Sequence, residues 1–283
     1  MNFLSISDIS RGQIEKIFSI ADTLKDNKAL WLKEKTFVLF FPESSIRTRL
    51  TFEKGIQDLG GRCVLFPPAT LDKREALLDV SGYIANWADG IIVRHSDFEK
   101  VKELARHATI PVINAMTSYN HPCEILSDLY SIHQLRDDYT ALTYTFVGDK
   151  GNIANSWLTA AKVFNLKLNH ISVEHNRLKA DDSNYVFGTV LEDVLTMTDV
   201  VLTDPVSEKL RTRAYFDQYQ ITVERMKRCK PHAILNPCPP FQRGEEVSHD
   251  VMTSNYFVGY AFKENLIYLQ QAIILYCLGI EII

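Results

Sequence analysis

Short apolar runs alternate with amphipathic stretches through most of the chain. Four runs in the first half predict strands that are buried on both faces: 36–41, 62–66, 90–94 and 111–115. Helical patterns lie between them, at about 49–59, 73–87 and 98–107. A second series of apolar runs predicts further strands: 143–148, 168–173, 200–203 and 233–236.

This alternation predicts the fold class α/β, because strands that alternate with helices form parallel sheets with helices on both faces. We expect two doubly wound domains, each a parallel sheet flanked by helices. The charged stretch 135–141 (LRDDYTA) follows one helix and precedes a new strand, so it marks the boundary between the domains. The first domain is then 1–137 and the second is 138–262. A C-terminal helix in 263–283 is expected to pack back on the first domain.

Composition narrows the class of protein. The 283 residues carry a formal net charge of −4, and 46% of them are hydrophobic, as in ordinary soluble globular proteins. No basic block of five residues occurs, which argues against a nucleic-acid partner. The cysteines are scattered without CxxC spacing, so we expect reduced thiols in a cytoplasmic protein. The apolar stretch 266–283 contains Gln270, Gln271 and Glu281, which favours a buried helix over a membrane span.

The most informative segment is 38–61 (VLFFPESSIRTRLTFEKGIQDLGG), where a buried strand ends and a helix begins near Ser45 or Ile46. Arg47 and Arg49 then lie at a helix N-terminus, where unpaired N–H groups and the helix dipole favour a phosphate. Their guanidinium groups add bidentate donors. An ordinary capped helix with solvent-facing arginines is the alternative. The predicted buried face of this helix consists of Leu50, Ile56 and Leu59.

The same segment resembles a family signature. Residues 45–49 (SIRTR) and 51–53 (TFE) are similar to the S-T-R-T-R-x-S-F-E signature of aspartate and ornithine carbamoyltransferases. The resemblance implies transfer of the carbamoyl group of carbamoyl phosphate to a small amine or amino-acid acceptor. It implies neither a cofactor nor a metal. It also implies a phosphate-binding set: Ser45, Ile46 through its backbone, Arg47 and Thr48.

Two further segments extend the resemblance within the first predicted domain. Residues 90–94 (GIIVR) deliver Arg94 to the carboxyl end of a strand, where ligands gather in open α/β sheets; a surface arginine is the alternative. Residues 121–129 (HPCEILSDL) resemble the family's H-P-x-Q-x-L-x-D-L and place His121 at a helix entrance. The helix dipole there disfavours protonation of the imidazole. A histidine that only caps the helix is the alternative. The resemblance implies a catalytic set: Arg47, Thr48, Arg94 and His121.

The second predicted domain carries the implied acceptor site. Residues 147–156 (VGDKGNIANS) resemble the ornithine-branch pattern G-D-x-x-N-N-M-x-N-S, which implies that Asn152 binds the acceptor. Asp204 would take the acceptor's amine, and Ser207 would replace the serine of the family's S-M-G segment. A plain strand-to-helix turn is the alternative for Asn152. Because the loop after Asp204 rejoins the ornithine pattern early, the sequence leaves the acceptor open.

One loop implies an assembly. Residues 73–75 (KRE) resemble the family loop that reaches into a neighbouring subunit's site, where Lys73 would supply a further cation to the phosphate. The resemblance therefore implies a homotrimer with shared active sites. A lysine that is only solvated is the alternative.

Three segments depart from the family pattern at positions that would contact the carbamoyl group. Glu124 stands at the family's glutamine and adds a negative charge beside an anionic substrate, unless it is protonated or paired with a cation. Asn236 replaces the histidine of the ornithine enzymes' H-C-L-P, and Cys238 takes the leucine position, whose backbone carbonyl would receive the carbamoyl NH2. Leu266 replaces the arginine of E-N-R.

These departures keep two other functions open. A non-catalytic or regulatory anion-binding homologue would retain the anion turn without supporting transfer. A nucleotide-dependent α/β enzyme rests on the fold alone.

Overall fold

The computed structural model describes residues 1–27 and 29–282. Its strands, in chain order, are β1 (Thr36–Phe40), β2 (Arg62–Phe66), β3 (Gly90–Arg94), β4 (Val112–Met116), β5 (Thr143–Val147), β6 (Lys167–Ile171), β7 (Tyr185–Gly188), β8 (Val200–Thr203) and β9 (Ile234–Pro237). Its helices are α1 (Arg11–Asp26), α2 (Arg47–Asp58), α3 (Leu77–Ile84), α4 (Phe98–His107), α5 (Pro122–Leu135), α6 (Asn152–Phe164), α7 (Arg213–Tyr219), α8 (Val223–Met226) and α9 (Asn265–Leu278).

The chain forms two compact units. The first contains Met1–Ser131 together with the chain from Lys263 onward, and the second contains Ile132–Phe262. Each unit has a parallel sheet, and helices flank both sheets. The predicted α/β class with two doubly wound domains is confirmed.

The sheet of the first unit has the strand order β2-β1-β3-β4, and every pairing is parallel. The inner strands β1 and β3 are almost wholly buried, as their unbroken apolar runs predict. Strand β2 lies at the edge, where its side chains alternate between exposed and half-buried. The prediction that residues 62–66 are buried on both faces is therefore wrong, because an edge strand has a neighbour on one side only.

Helix α2 buries a different face from the one expected. Thr48, Phe52 and Ile56 recur at every fourth position and are buried, as is Leu59. Leu50 lies on the opposite side of the helix and is 61% exposed, so its predicted burial is wrong. The spacing of Thr48 and Phe52 decides the buried face.

The C-terminal helix α9 packs on α1 and α2 within the first unit, as predicted. Gly55 of α2 permits this approach, because a Cβ there would meet the side chains of Gln271 and Ile267 at 3.2 and 3.3 Å. Gln271 Nε2 also donates a hydrogen bond to the Gly55 carbonyl oxygen at 2.8 Å. Among the residues that the structure describes, no helix is long and apolar enough to cross a bilayer.

The sheet of the second unit has the strand order β7-β6-β5-β8-β9, again parallel throughout. Its central strand β5 is fully buried, and the neighbouring strand ends Val147 and Thr203 pair with each other. The short edge strand β7 was not predicted. Its four residues contain one short apolar run, Tyr185, Val186 and Phe187, which is too short for a periodic signal.

Candidate functional site

Three parallel strands of the first unit deliver polar side chains to one edge of the sheet. The turn after β1 carries Ser45, β3 ends at Arg94, and the segment after β4 carries His121. Because β1, β3 and β4 are neighbours and parallel, their carboxyl ends lie side by side. Arg94 Nη1 donates a hydrogen bond to Ser45 Oγ at 3.0 Å, which joins the first two of these segments.

The N-terminus of α2 presents free donors beside this contact. Ile46 precedes the helix in helical conformation, and no side chain caps the first turn. Thr48 is buried and Arg47 is exposed. Unpaired N–H groups at the positive end of a helix form a site for a phosphate or carboxylate.

The two arginines of the signature have different roles. Arg49 Nε pairs with Glu53 Oε1 at 2.5 Å within α2, so this guanidinium group is already compensated. Arg47 forms no ion pair among the described residues. That both arginines serve as donors for an anion stays a prediction, and the absence of a partner in the described residues favours Arg47.

Arg47 and Arg94 lie close enough for their charges to interact. The pKa of Arg94 is lowered, first by burial and then by the positive charge of Arg47. Two cations held near each other at an uncapped helix N-terminus attract an anion strongly, because the bound anion relieves their repulsion.

His121 is buried immediately before the first residue of α5, Pro122. Burial lowers the pKa of its imidazole to about 4, and the charges of Arg94 and Lys263 act in the same direction against that of Glu124. The ring is therefore neutral at pH 7 and carries one N–H donor. The sequence predicts neutrality from the helix dipole; in the structure burial is the main cause.

Glu124 follows one helical turn after His121 and is buried. Lys263 Nζ donates to Glu124 Oε1 at 3.0 Å and to Asp128 Oδ1 at 2.5 Å. Burial opposes ionisation of Glu124, but the charges of Lys263 and Arg47, with that of His121 when it is protonated, hold the pKa of the carboxyl below its ordinary value. Since His121 is neutral at pH 7, Lys263 and Arg47 keep Glu124 ionised there. Glu124 is thus a carboxylate paired with a cation.

Lys263 is a site residue that the sequence reasoning missed. It directly precedes the block Glu264-Asn265-Leu266, so its signal was a lysine beside a family segment that had lost its arginine. Leu266 itself is buried, and Asn265 Nδ2 donates to Ser131 Oγ at 3.0 Å. The start of α9 therefore remains attached to α5.

Lys73 lies on an exposed loop before α3 and forms no ion pair among the residues described. The preceding residue, Asp72, is held at the root of this loop. His95 Nε2 donates to Asp72 Oδ1 at 3.1 Å, and Lys100 Nζ donates to the same oxygen. Since Asp97 N donates to His95 Nδ1, the imidazole proton is on Nε2. The loop has a fixed base and an exposed lysine.

In the second unit, the turn after β5 places Asn152 at the first position of α6. His170 Nε2 donates to the Gly148 carbonyl oxygen at 2.9 Å, and the Tyr185 hydroxyl lies 3.1 Å from His170 Nδ1. This buried histidine fixes the start of the turn. It was not predicted from the sequence, because its role depends on β6 and β7 lying beside β5.

Asp149 connects two of the predicted acceptor segments. Its Oδ2 accepts a hydrogen bond from Ser207 N at 3.1 Å, and its Oδ1 accepts from Asn176 Nδ2 at 3.1 Å. The turn that leads to Asn152 and the loop from Asp204 to Ser207 are thereby held together. Asp204 is half-buried and Ser207 is exposed.

Strand β9 completes this edge of the second sheet. Cys238 follows β9, is buried, and donates from its backbone N–H to the Thr203 carbonyl oxygen at 2.9 Å. Asn236 is 2% exposed, and neither atom of its side-chain amide has a hydrogen-bond partner among the described residues. Cys238 and Asp204 therefore lie at the ends of paired strands.

Two family models together match nearly the whole chain. The model described as aspartate/ornithine carbamoyltransferase, carbamoyl-P binding domain, matches residues 1–134. The model described as aspartate/ornithine carbamoyltransferase, Asp/Orn binding domain, matches residues 140–277. The chain belongs to the aspartate/ornithine carbamoyltransferase family. The predicted family and the predicted class of enzyme, a carbamoyltransferase, are confirmed.

Individual carbamoyltransferases match over almost their full length. The ornithine carbamoyltransferases of Syntrophotalea carbinolica and Carboxydothermus hydrogenoformans are 31% and 32% identical to this chain, over 96% and 98% of it and 97% of each relative. The crystal structure of ornithine carbamoyltransferase from Burkholderia thailandensis matches with a TM-score of 0.91 at 27% identity, over 99% of both chains. Such relatives give the non-catalytic alternative no support.

Proposed function

We propose that this carbamoyltransferase transfers the carbamoyl group of carbamoyl phosphate to the amine of ornithine or of an amino acid of similar shape. The products are a ureido amino acid and phosphate. The observation that carries the proposal is the anion site of the first unit, where Arg47, Arg94 and a neutral His121 gather at the uncapped N-terminus of α2. The ornithine acceptor is supported by the named relatives and by the segment around Asn152.

The first domain, 1–137 with the C-terminal helix, is proposed to bind carbamoyl phosphate. Its phosphate would accept hydrogen bonds from the α2 N-terminus, from the hydroxyls of Ser45 and Thr48, and from Arg47. Arg94 already contacts Ser45 and can reach a ligand in the same place. The proposed carbamoyl-phosphate set is Ser45, Ile46, Arg47, Thr48, Arg94, His121, Glu124 and Cys238, with Lys73 of a neighbouring subunit.

The chemistry requires fixed dipoles and cations. A neutral amine attacks the carbamoyl carbon, the bond from that carbon to the bridging oxygen breaks, and the amine proton leaves with the phosphate. Negative charge develops first on the carbonyl oxygen, where Arg94, Thr48 and His121 would donate, each worth roughly 3 kcal/mol of transition-state stabilisation. A neutral imidazole suits this role, since it donates a hydrogen bond without a competing positive charge.

The second domain, 138–262, is proposed to bind the acceptor. Asn152 and Asp204 would orient the amino acid, and Ser207 lies in the loop that Asp149 holds beside them. Orienting the amine against the carbamoyl carbon lowers the entropic cost of bringing two molecules together. The Cys238 carbonyl would accept from the carbamoyl NH2.

The assembly and compartment are proposed as a homotrimer in the cytoplasm. The exposed Lys73 above a fixed loop base supports a role in a neighbouring subunit's site. All five cysteines are thiols, which supports a reducing compartment. Sedimentation equilibrium of the full chain distinguishes a trimer from a monomer.

Arg47 and Arg49 provide a matched test of the activity. With carbamoyl phosphate and a panel of amines led by ornithine, we expect Arg47→Ala and Arg94→Ala to lower kcat/KM by about 10²–10³-fold. Arg49→Ala removes only an intrahelical ion pair, so its kcat/KM should stay within about threefold of the wild type. Wild-type turnover no higher than that of Arg47→Ala, across the whole panel, would refute the proposed function. Binding of carbamoyl phosphate without turnover would then support a regulatory protein.

A further inference from the structure

Lys263, at the start of the C-terminal segment, compensates the negative charge of Glu124, a position where the family pattern has a neutral glutamine. Glu124 and Asp128 lie one turn apart on α5, and both are buried. Lys263 bridges the two carboxylates from the chain that precedes α9. One lysine thus holds two buried acids whose charges would otherwise repel each other and any anionic ligand.

We propose that Lys263 is a positioning residue for carbamoyl transfer: it neutralises Glu124 and orients this carboxylate so that its second oxygen accepts a hydrogen bond from the carbamoyl NH2. This inference rests on the proposed function. It extends that function by giving a role to a lysine that the family signature does not contain.

The geometry of the carboxylate supports this role. Lys263 donates to Oε1 of Glu124 at 3.0 Å, and Oε2 is the second acceptor of the same carboxylate. His121 directly precedes α5 and Glu124 lies in its first turn, and the charge of Glu124 acts on the imidazole, so the two side chains lie on the same side of the helix start. An acceptor on that face suits the NH2 end of a carbamoyl group whose oxygen receives donors from His121 and Arg94.

The two departures from the family are linked by charge. In the family pattern a neutral glutamine stands at Glu124 and an arginine at Leu266. Here the acid is introduced, the arginine is replaced by an apolar residue, and a lysine lies one turn before it. Lys263 offsets the charge that Glu124 adds, so the acid repels the phosphate dianion less than an unpaired carboxylate would.

The alternative is that Lys263 only ties the start of α9 to α5 through Asp128. The two roles depend on different contacts of Lys263. A positioning role requires its contact with Glu124, whereas a purely structural role requires its contact with Asp128. Charged and titratable groups that face Glu124 come from several elements: Arg47, Arg94, His121, Asp128 and Lys263. The test variants change only Lys263, Glu124 or Asp128 and keep Arg47, Arg94 and His121.

The experiment measures KM for carbamoyl phosphate between pH 6 and 9 in the full-length enzyme. In Lys263→Met the buried Glu124 loses its cation, and it is protonated near neutrality but ionises as pH rises. We expect KM for carbamoyl phosphate in this variant to rise at least tenfold across the range. Lys263→Arg retains a cation, and Glu124→Gln combined with Lys263→Met has no carboxyl at position 124 that can ionise, so neither should show this rise.

Stability is measured beside KM in the same variants. The melting temperature of Lys263→Met should be recovered by Asp128→Asn, whereas its KM profile should be recovered by Glu124→Gln. If Lys263→Met and its combination with Glu124→Gln have the same KM at every pH, the positioning role is overturned. That result would leave the proposed function intact if the wild type turns over.

A separate arm covers a wild type without turnover. Calorimetric affinity for carbamoyl phosphate and for inorganic phosphate then replaces KM. A pH-dependent loss of carbamoyl phosphate affinity in Lys263→Met, larger than the loss for phosphate and absent with Glu124→Gln, supports the role of Lys263. Equal losses for the two ligands overturn it.

Discussion

Each of the two units buries one histidine whose imidazole pKa is lowered to about 4, and in both cases burial is the main cause. In the second unit both ring nitrogens of His170 lie within hydrogen-bond distance of neutral groups, Gly148 O and the Tyr185 hydroxyl, and one charge acts on the ring, that of Asp149. In the first unit His121 lies among charges, those of Glu124, Arg94 and Lys263. The same shift thus accompanies a fixed structural contact in one unit and a charged ligand site in the other, so neighbours rather than pKa indicate function.

The largest effect should separate these two histidines. His121→Asn removes a donor to the developing oxyanion, so we expect kcat to fall about 100-fold. His170→Asn should change kcat less than about threefold and instead lower the free energy of unfolding by about 2 kcal/mol, because a buried hydrogen-bonded pair is disrupted. Steady-state kinetics and urea denaturation check both values. A folded His170→Asn enzyme with kcat as low as that of His121→Asn would remove the contrast.

The pH dependence of stability should reveal both groups together. Well above pH 6.5, the ordinary pKa of histidine, both side chains are neutral in the folded and unfolded states. As pH falls from 6.5 to about 4, the unfolded chain binds protons that the folded chain does not, so stability decreases with decreasing pH. The expected loss is up to about 3 kcal/mol for each histidine.

Urea denaturation at pH 7 and pH 4.5 measures this loss. His170→Gln should show a shallower decrease than the wild type, since it takes up one proton fewer on unfolding. Equal slopes for the two proteins would show that His170 is protonated in the folded state at pH 4.5.

A smaller effect, on KM, should distinguish the unit proposed to bind carbamoyl phosphate from the unit proposed to bind the amine acceptor. Asp149 holds the Ser207 loop beside the turn that leads to Asn152. Asp149→Asn retains the size of the side chain but weakens the charge-assisted bond from Ser207 N, so we expect KM for the acceptor to rise about tenfold. KM for carbamoyl phosphate should stay unchanged, because Asp149 belongs to the second unit. A rise in the KM for carbamoyl phosphate alone would contradict this division of roles.

Much of the proposed carbamoyl-phosphate site could be predicted because the sequence patterns that indicate it lie within short segments. A buried strand, a polar turn and a helix start fall within residues 38–61, and Arg94 ends a second apolar run. The order of strand, turn and helix alone predicts that the helix N-terminus can bind a phosphate. The catalytic roles predicted for Arg47 and His121 came from the resemblance of residues 45–53 and 121–129 to the family patterns.

Other features depend on contacts across long stretches of chain. Whether Arg49 was a ligand or an ion-pair partner depended on the side-chain geometry of Glu53. The exposure of β2 follows from its position at the edge of the sheet, which depends on the order of the strands. The pairing of Glu124 with Lys263 joins residues that are far apart in sequence, so no local pattern could indicate it.

The sequence by itself determined the alternation of strands and helices and the position of the anion-binding turn, because hydrophobic period and helix-start chemistry are properties of neighbouring residues. Only the tertiary structure decided whether the carboxylate of Glu124 is paired with a cation or stands unpaired beside an anionic ligand. Its charge state depends on the electric field at a buried carboxyl, and at pH 7 that field comes from Lys263 and Arg47, which belong to two distant segments of the chain.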